Sequence, residues 1–245
     1  MDKDVMRPDL PSVLGAALPA DAAYQDNALR CARRVLGQPC GPMATVLDLG
    51  CGEGGTIDLF RELSPGAHWI GLDIEASPEV AARRRSDGDF RTYDGVNIPL
   101  DDNSVDLVFT CQAFEHVHYP HDVIRQVARI LRPGGRFIGS TSHLEPYHSF
   151  STFGYTPHGW KLLVEQAGME LLEIRPGVDA LSMLLRRAFG ASPRLRERWY
   201  YGRSPVHALL DAAARLRRWP PRRVNAVKLR IAGMFTFIAR KPETP

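Results

Sequence analysis

The chain has 245 residues, of which 44% are apolar, 24% charged and 9% aromatic, the proportions of a globular protein with one large core, or one core and a cap. Disordered and collagen-like classes are excluded, and no window approaches 18 consecutive apolar residues. The formal net charge of +3 conceals an asymmetry, because residues 176–231 hold 13 Lys/Arg against 3 Asp/Glu while the remainder holds 18 against 25. The first residues carry two early acids, Asp2 and Asp4, and no apolar stretch ahead of a small-residue cleavage site, so a cytoplasmic protein is expected. Cys31, Cys40, Cys51 and Cys111 show no CxxC spacing, and reduced thiols are expected rather than a disulfide framework or a zinc site.

In chain order, the first 40 residues hold one helical stretch, 22–36. Apolar runs that read as strands follow at 45–49, 68–73, 89–93, 105–110, 136–140, 169–175 and 234–240. Helical patterns alternate with them. A glycine-rich turn leads into a helix at 56–63, and Ser77 ahead of Pro78 is an N-cap with proline at the first helical position. A helix over 122–131 buries Val123, Val127, Ile130 and Leu131 and stops before Arg132-Pro133-Gly134-Gly135. Thr156 and Pro157 open a further helix with Trp160, Leu163, Val164 and Ala167 on its core face, and Gly168 closes it. The alternation predicts an α/β sheet with helices on its faces. The basic segment falls outside it, with helical patterns at 180–188 and 206–219 separated by residues 190–205.

The strongest signal is VLDLGCGEGG at 46–55, a strand that runs into a glycine turn and a helix. Glycines there let a ligand lie against the backbone at a helix N-terminus, at the strand ends where open α/β sheets bind ligands. Gly50, Gly52 and Gly55, with Asp73 downstream, also satisfy the dinucleotide pattern GxGxxG, which leaves an NAD-dependent oxidoreductase as one reading. Asp48 separates the readings. It sets a carboxylate at the end of an apolar strand, which would repel a pyrophosphate and attract a ligand carrying an ammonium group, such as S-adenosylmethionine.

On these residues the sequence resembles the class I S-adenosylmethionine-dependent methyltransferases, most closely their small-molecule, type 11 group, over about residues 45–144 and more loosely to 175. The resemblance implies a Rossmann-like, doubly wound seven-stranded sheet, mostly parallel with an antiparallel last strand, plus helical cap elements. It also implies S-adenosylmethionine as the cofactor. Asp48 and Gly50 would face its methionine portion, with Cys51, Gly52 and Gly54 forming the turn beneath it. Asp73 would accept from both ribose hydroxyls and Ile74 would pack on the adenine. Asp94 would take the adenine amine beside Gly95, and Cys111 and Gln112 would sit under the sulfonium.

Methyl transfer to a hydroxyl benefits from a general base, and His143, His148 and the pair Glu115-His116 stand in the loops after the fifth and fourth strands. The spacing of His116, His118, His121 and Asp122 matches no closed metal pattern, and no metal is expected. The expected division is an N-terminal helical cap at 1–40, a cofactor-binding core at 41–175, a basic helical insertion acting as lid or cap at 176–231, and a last strand with a tail at 232–245. The insertion interleaves Leu, Phe and Trp with Arg. It leaves open an anionic acceptor, peripheral contact with an acidic membrane, a second subunit as in a homo-oligomer, or a solvated cap, whereas nucleic acid fits least well. Stretches at 144–148 and 155–159 resemble methyltransferases of surface polysaccharides and secondary metabolites, which points to O-methylation of a sugar, glycan or natural-product hydroxyl. The alternative of another class is a subunit that binds S-adenosylmethionine for regulation without turnover.

Overall fold

The computed structural model describes residues 9–37, 43–190 and 197–243. Its sheet contains β1 (Thr45–Leu49), β2 (His68–Ile74), β3 (Asp89–Tyr93), β4 (Val105–Cys111), β5 (Leu131–Ser142), β6 (Glu170–Pro176) and β7 (Met234–Arg240), in the order β3-β2-β1-β4-β5-β7-β6. Strands β1 to β5 pair in parallel, and β7 runs antiparallel to both β5 and β6. The described helices are α1 (Leu10–Leu14), α2 (Ala28–Leu36), α3 (Ile57–Leu63), α4 (Pro78–Ala82), α5 (Pro120–Ile130), α6 (Pro157–Gln166), α7 (Ala180–Phe189), α8 (Pro205–Leu216) and α9 (Pro221–Arg230). This is the doubly wound, mostly parallel arrangement expected from the sequence. Because β2 and β4 lie on opposite sides of β1, the chain reverses direction there and opens a crevice at the carboxyl ends of β1 and β4.

Strands buried on both faces carry near-continuous apolar runs, and β1 shows why. Leu47 and Leu49 join one core layer with Ile124 and Val127 of α5 and Trp160 of α6. Val46 joins the opposite layer with Cys31 and Val35 of α2 and Phe60 of α3. Trp160 anchors the first layer, with its ring edge-on to Phe114 at 5.2 Å and tilted against Phe237 at 4.6 Å.

Three local expectations are corrected. Strand β5 begins at Leu131, directly after α5, because Val105 pairs with Leu131 and Leu107 with Arg136, so the Pro-Gly-Gly stretch is a bulge within the strand rather than a separate stop. The N-terminal helix starts at Ala28, where Asn27 Oδ1 accepts from the Arg30 amide at 2.9 Å, and residues 22–27 precede it as irregular backbone. Helix α9 is not evident in the sequence pattern: Pro221 opens a new helix, and its inward face buries Asn225 and Lys228 alongside Val224, Ala226 and Leu229.

Those polar groups tie the N-terminal arm to the basic segment. Asn225 Nδ2 donates to the carbonyls of Pro19 and Ala22 at 3.0 and 2.8 Å, and Lys228 Nζ pairs with Asp211 at 2.7 Å. Gln25 Nε2 donates to the Trp199 carbonyl at 2.6 Å, while its Oε1 accepts from the Ser204 amide at 3.0 Å. Arg175 of β6 is buried and holds both Asp21 and Glu173 at 2.8 Å. Of the cysteines, Cys31, Cys51 and Cys111 are free thiols, and Cys40 lies outside the described residues. Among the described residues no helix is long and apolar enough to cross a membrane.

His207 of α8 is buried, and burial, reinforced by the Lys228 charge, pushes its pKa down to about 4. The unfolded chain protonates near 6.5, so stability is lost as pH falls from about 6.5 toward 4. Urea denaturation should show wild type losing about 2 kcal/mol more than His207→Leu between pH 7 and pH 5. Equal losses would exclude a buried neutral imidazole.

Candidate active site

The loop after β1 is shaped by glycines in the left-handed region, with φ of +78° at Gly50, +50° at Gly52 and +82° at Gly54. At Gly50 the requirement is also steric, since a Cβ would stand 2.3 Å from the Cβ of Ala113. The loops after β1 and β4 therefore meet backbone to backbone in the crevice.

Asp48 lies in β1 at 1% exposure, in register with Gly71 of β2 and Phe109 of β4. The Thr56 hydroxyl, just ahead of α3, donates to it. Burial pushes its pKa up to about 7, against the pull of the Thr56 hydrogen bond and with the charge of Asp73 adding to the rise. A buried carboxyl held so far above its ordinary value is a group that a cation would stabilise in the ionised form. Asp73, near the end of β2, accepts from the Gly52 amide on one oxygen and from the Ile74 amide on the other, each at 2.8 Å. It thereby fixes the glycine loop as well as ending a strand. Its pKa is raised, chiefly by burial.

Ile74 is exposed at the strand end, and a Cβ on Gly95 would stand 3.7 Å from its Cγ2, so the turns after β2 and β3 are neighbours. Asp94 caps its own turn: Oδ1 accepts from the amides of Val96 and Asn97 at 2.8 and 2.6 Å, and these bonds hold its pKa low. Arg83 joins the loop without having been marked by the sequence. Its Nε and Nη2 donate to the Gly52 carbonyl at 2.8 and 2.6 Å, its Nη2 lies 3.5 Å from Cys51 Sγ, and its guanidinium sits 4.0 Å above the Phe90 ring. No spacing rule distinguishes Arg83 within the run Arg83-Arg84-Arg85, because its partner is a carbonyl 31 residues away.

Beyond exposed Cys111, Gln112 takes a left-handed φ of +54°, and this turns its side chain toward the end of β5. With the amide oriented so that both ends face complementary groups, its nitrogen donates to Glu115 at 3.1 Å and Glu145 at 3.0 Å, and its oxygen accepts from the Ser140 hydroxyl at 3.1 Å. Glu115 is fully buried. Its carboxyl faces the Thr141 hydroxyl at 3.2 Å and the Ser142 hydroxyl at 3.1 Å, and its pKa is raised mainly by burial and further by Glu145. Its backbone carbonyl accepts from the amides of Thr152 at 2.7 Å and Phe153 at 3.1 Å, so the loop after β5 is stitched to the loop after β4.

That stitching delivers His148 to the cluster. Its Nδ1 lies 3.6 Å from Glu145 and 3.3 Å from the Pro146 carbonyl, and its Nε2 lies 4.0 Å from Glu115. The His116 ring stands edge-on to it at 5.3 Å. Of the four acid-base candidates, Glu115, His116 and His148 come together and His143 does not. The His143 ring packs toward Phe235 at 6.4 Å, and burial lowers its pKa. Glu115, His116 and His148 also offer three ligand atoms within 4.8 Å of one another, a grouping different from the His116, His118, His121 and Asp122 set that lies close together in sequence.

A family model described as a methyltransferase domain matches residues 47–139, the span from β1 into β5. A probable S-adenosylmethionine-dependent methyltransferase of Mycolicibacterium smegmatis is 29% identical over 196 residues, covering 71% of this chain and 72% of that protein. A malonyl-[acyl-carrier protein] O-methyltransferase of Alcanivorax borkumensis is 28% identical over 169 residues, covering 60% of this chain and 57% of its own length. The chain likewise spans about half or less of several other curated relatives that it matches. The crystal structure of an S-adenosylmethionine-dependent methyltransferase from Mesorhizobium loti superposes with a TM-score of 0.53 at 19% identity, covering 85% of this chain and 95% of that one, a likeness of fold. The motif, the sheet order and the named relatives agree in a likeness to the S-adenosylmethionine-dependent methyltransferases, whose methyltransferase domain matches residues 47–139.

Proposed function

We propose that the protein transfers the methyl group of S-adenosylmethionine to a hydroxyl of a sugar, glycan or natural product, with His148 as the proton acceptor. The observation that carries the reading is the imidazole between two carboxyl groups, at the carboxyl edge of the sheet beside the cofactor loop. A relative named as an O-methyltransferase supports oxygen as the nucleophile.

When bound, S-adenosylmethionine supplies a methyl group on a sulfonium, an activated leaving group. In this reading Asp48 lies by its cationic end, where the ionised carboxyl gains a partner. Gly50, Cys51, Gly52 and Gly54 give it a backbone surface. Asp73 and Ile74 hold the ribose and one adenine face, Asp94 and Gly95 the adenine rim, and Cys111 and Gln112 the sulfonium side. Orientation in such a closed crevice can supply about 7 to 11 kcal/mol of rate enhancement. The acceptor hydroxyl would pass its proton to His148 Nε2 as its oxygen takes the methyl group that the cofactor supplies. Glu145 faces the opposite ring nitrogen at 3.6 Å and orients the ring. Nε2 stands 4.0 Å from Glu115, beyond hydrogen-bond reach, and so remains available to the acceptor. His116 and Glu115 support the ring and its loop, and the basic segment from 176 to 231 caps the acceptor side.

His148→Gln should lower kcat by about 10² to 10⁴ with little change in S-adenosylmethionine affinity. An unaltered kcat on a turned-over hydroxyl acceptor would exclude His148 as the base. Asp73→Ala should abolish S-adenosylmethionine binding in isothermal titration while the thermal transition of the chain persists; binding at wild-type strength would refute the assigned role. Asp48→Asn should act in two directions. In the ligand-free native state Asp48 keeps a proton that the unfolded chain has lost, so wild-type stability declines as pH rises from about 4 to 7. At pH 8 the variant should therefore be the more stable, by on the order of 2 kcal/mol, yet bind S-adenosylmethionine more than tenfold less tightly.

A further inference from the structure

Helix α7 has its apolar side chains on the wrong side for a helix that only caps a core. Ser182 and Met183 face inward, whereas Leu181, Leu184, Leu185 and Phe189 are exposed, the last at 83%. These positions follow i, i+3, i+4 and i+8, so they form one stripe along the outer face. At 100° per residue Arg187 falls on the border of that stripe, whereas Arg186 falls between Ser182 and Met183 and lies over the Tyr200 ring at 5.3 Å. The stripe continues beyond the helix. Arg187 Nη2 reaches the Tyr147 carbonyl at 3.4 Å, and Tyr147 and Phe150 stand 75% and 73% exposed in the loop that carries His148. Large apolar side chains in such numbers on one continuous surface mark an interaction site.

We propose that this face, α7 with residues 144–153, docks on the surface of an anionic phospholipid bilayer. Charge selects this occupant. The stripe belongs to the segment 176–231, which holds 13 Lys/Arg against 3 Asp/Glu, whereas the rest of the chain is net acidic. An outward apolar stripe bordered by Arg187 suits an interface: the leucines and Phe189 enter the acyl boundary while the guanidinium group remains among the headgroups. Leucines supply no stacking platform for the bases of a nucleic acid, which sets that partner aside. Docking would place the mouth of the proposed acceptor site, with His148 behind Tyr147, against the membrane, where an acceptor anchored in the bilayer could enter without leaving it.

The test is flotation of the full chain with vesicles of phosphatidylcholine alone and of phosphatidylcholine with phosphatidylglycerol. Binding should require the anionic lipid and fall at least tenfold between low and high salt. Leu184→Glu/Phe189→Glu and Arg187→Glu should each reduce binding at least tenfold, while circular dichroism and S-adenosylmethionine titration stay at wild-type values. These positions are exposed or border the stripe, and none belongs to the proposed cofactor or acid-base groups. No binding to the anionic vesicles, or binding that Leu184→Glu/Phe189→Glu leaves intact, would overturn the proposal. So would sedimentation equilibrium showing a dimer that the same double variant dissolves, because the stripe would then be covered by a second copy of the chain. Since cofactor titration is read separately, failure on vesicles leaves the methyl-transfer reading standing, and failure of cofactor binding leaves the docking result interpretable.

Discussion

The structure is organised around a carboxyl group buried in the middle of its sheet. Asp48 occupies an interior strand, β1, flanked by β2 and β4, and one hydroxyl, that of Thr56, donates to it. A well-packed apolar side chain at that place would favour the folded chain more, and the upward shift of the Asp48 pKa measures what the carboxyl gives up in losing water. The surrounding parts make the arrangement tenable without neutralising it. Glycines bring the backbone of the loop around the carboxyl, and Asp73 ties that loop down through the Gly52 amide while adding a second negative group. The result is an electronegative crevice at the carboxyl ends of β1 and β2. A buried group that costs stability in the ligand-free chain is the form that selection for a ligand takes.

A second constraint links that crevice to the acceptor side. The loops after β4 and β5 leave adjacent parallel strands and could diverge, but the backbone carbonyl of Glu115 accepts from two amides of the later loop and its carboxyl contacts Thr141 and Ser142. One residue thus uses its backbone to position a loop and its side chain to sit beneath the histidine that the loop carries. Gln112, turned by its left-handed backbone, connects the same carboxyl to Glu145. Full burial of Glu115 makes each of these bonds costly to lose, and the cluster therefore sets its members in a single geometry.

Legibility in the sequence follows the range of the interactions. Strand positions, the glycine turn and the acids at strand ends depend on local periodicity and on a chain reversal within a few residues, so the residue pattern by itself assigns Asp48, Asp73 and Asp94 to the carboxyl ends of their strands. What escapes that pattern depends on partners far along the chain. Arg83 is defined by a carbonyl 31 residues earlier, and nothing in three successive arginines marks which one turns inward. Helix α9 is hidden because its buried face includes Asn225 and Lys228, polar residues whose partners are the carbonyls of an N-terminal arm and Asp211. Histidines pose the same problem. His143 and His148 lie five residues apart in one loop, and the difference between a ring against Phe235 and a ring between two carboxyl groups is set by contacts with β7 and with Glu115.

The basic segment shows how an addition to a common core becomes part of it. It enters after β6 and returns at β7, so the antiparallel pairing of β7 with β5 and β6 completes the sheet only after the segment has been traversed. Its inner side is then locked by buried polar bonds to the arm that precedes β1: Gln25 to the backbone at Trp199 and Ser204, and Asn225 to Pro19 and Ala22. A segment fastened on its inner side through hydrogen bonds is free to vary on its outer side without unfolding the chain, because the outer side chains contribute little to the core. Such a face can carry an apolar stripe bordered by Arg187, which solubility alone would select against. The loop that carries His148 lies where the two adjoin, since Arg187 of the fastened segment reaches the Tyr147 carbonyl and His148 stands beside Glu115 of the core.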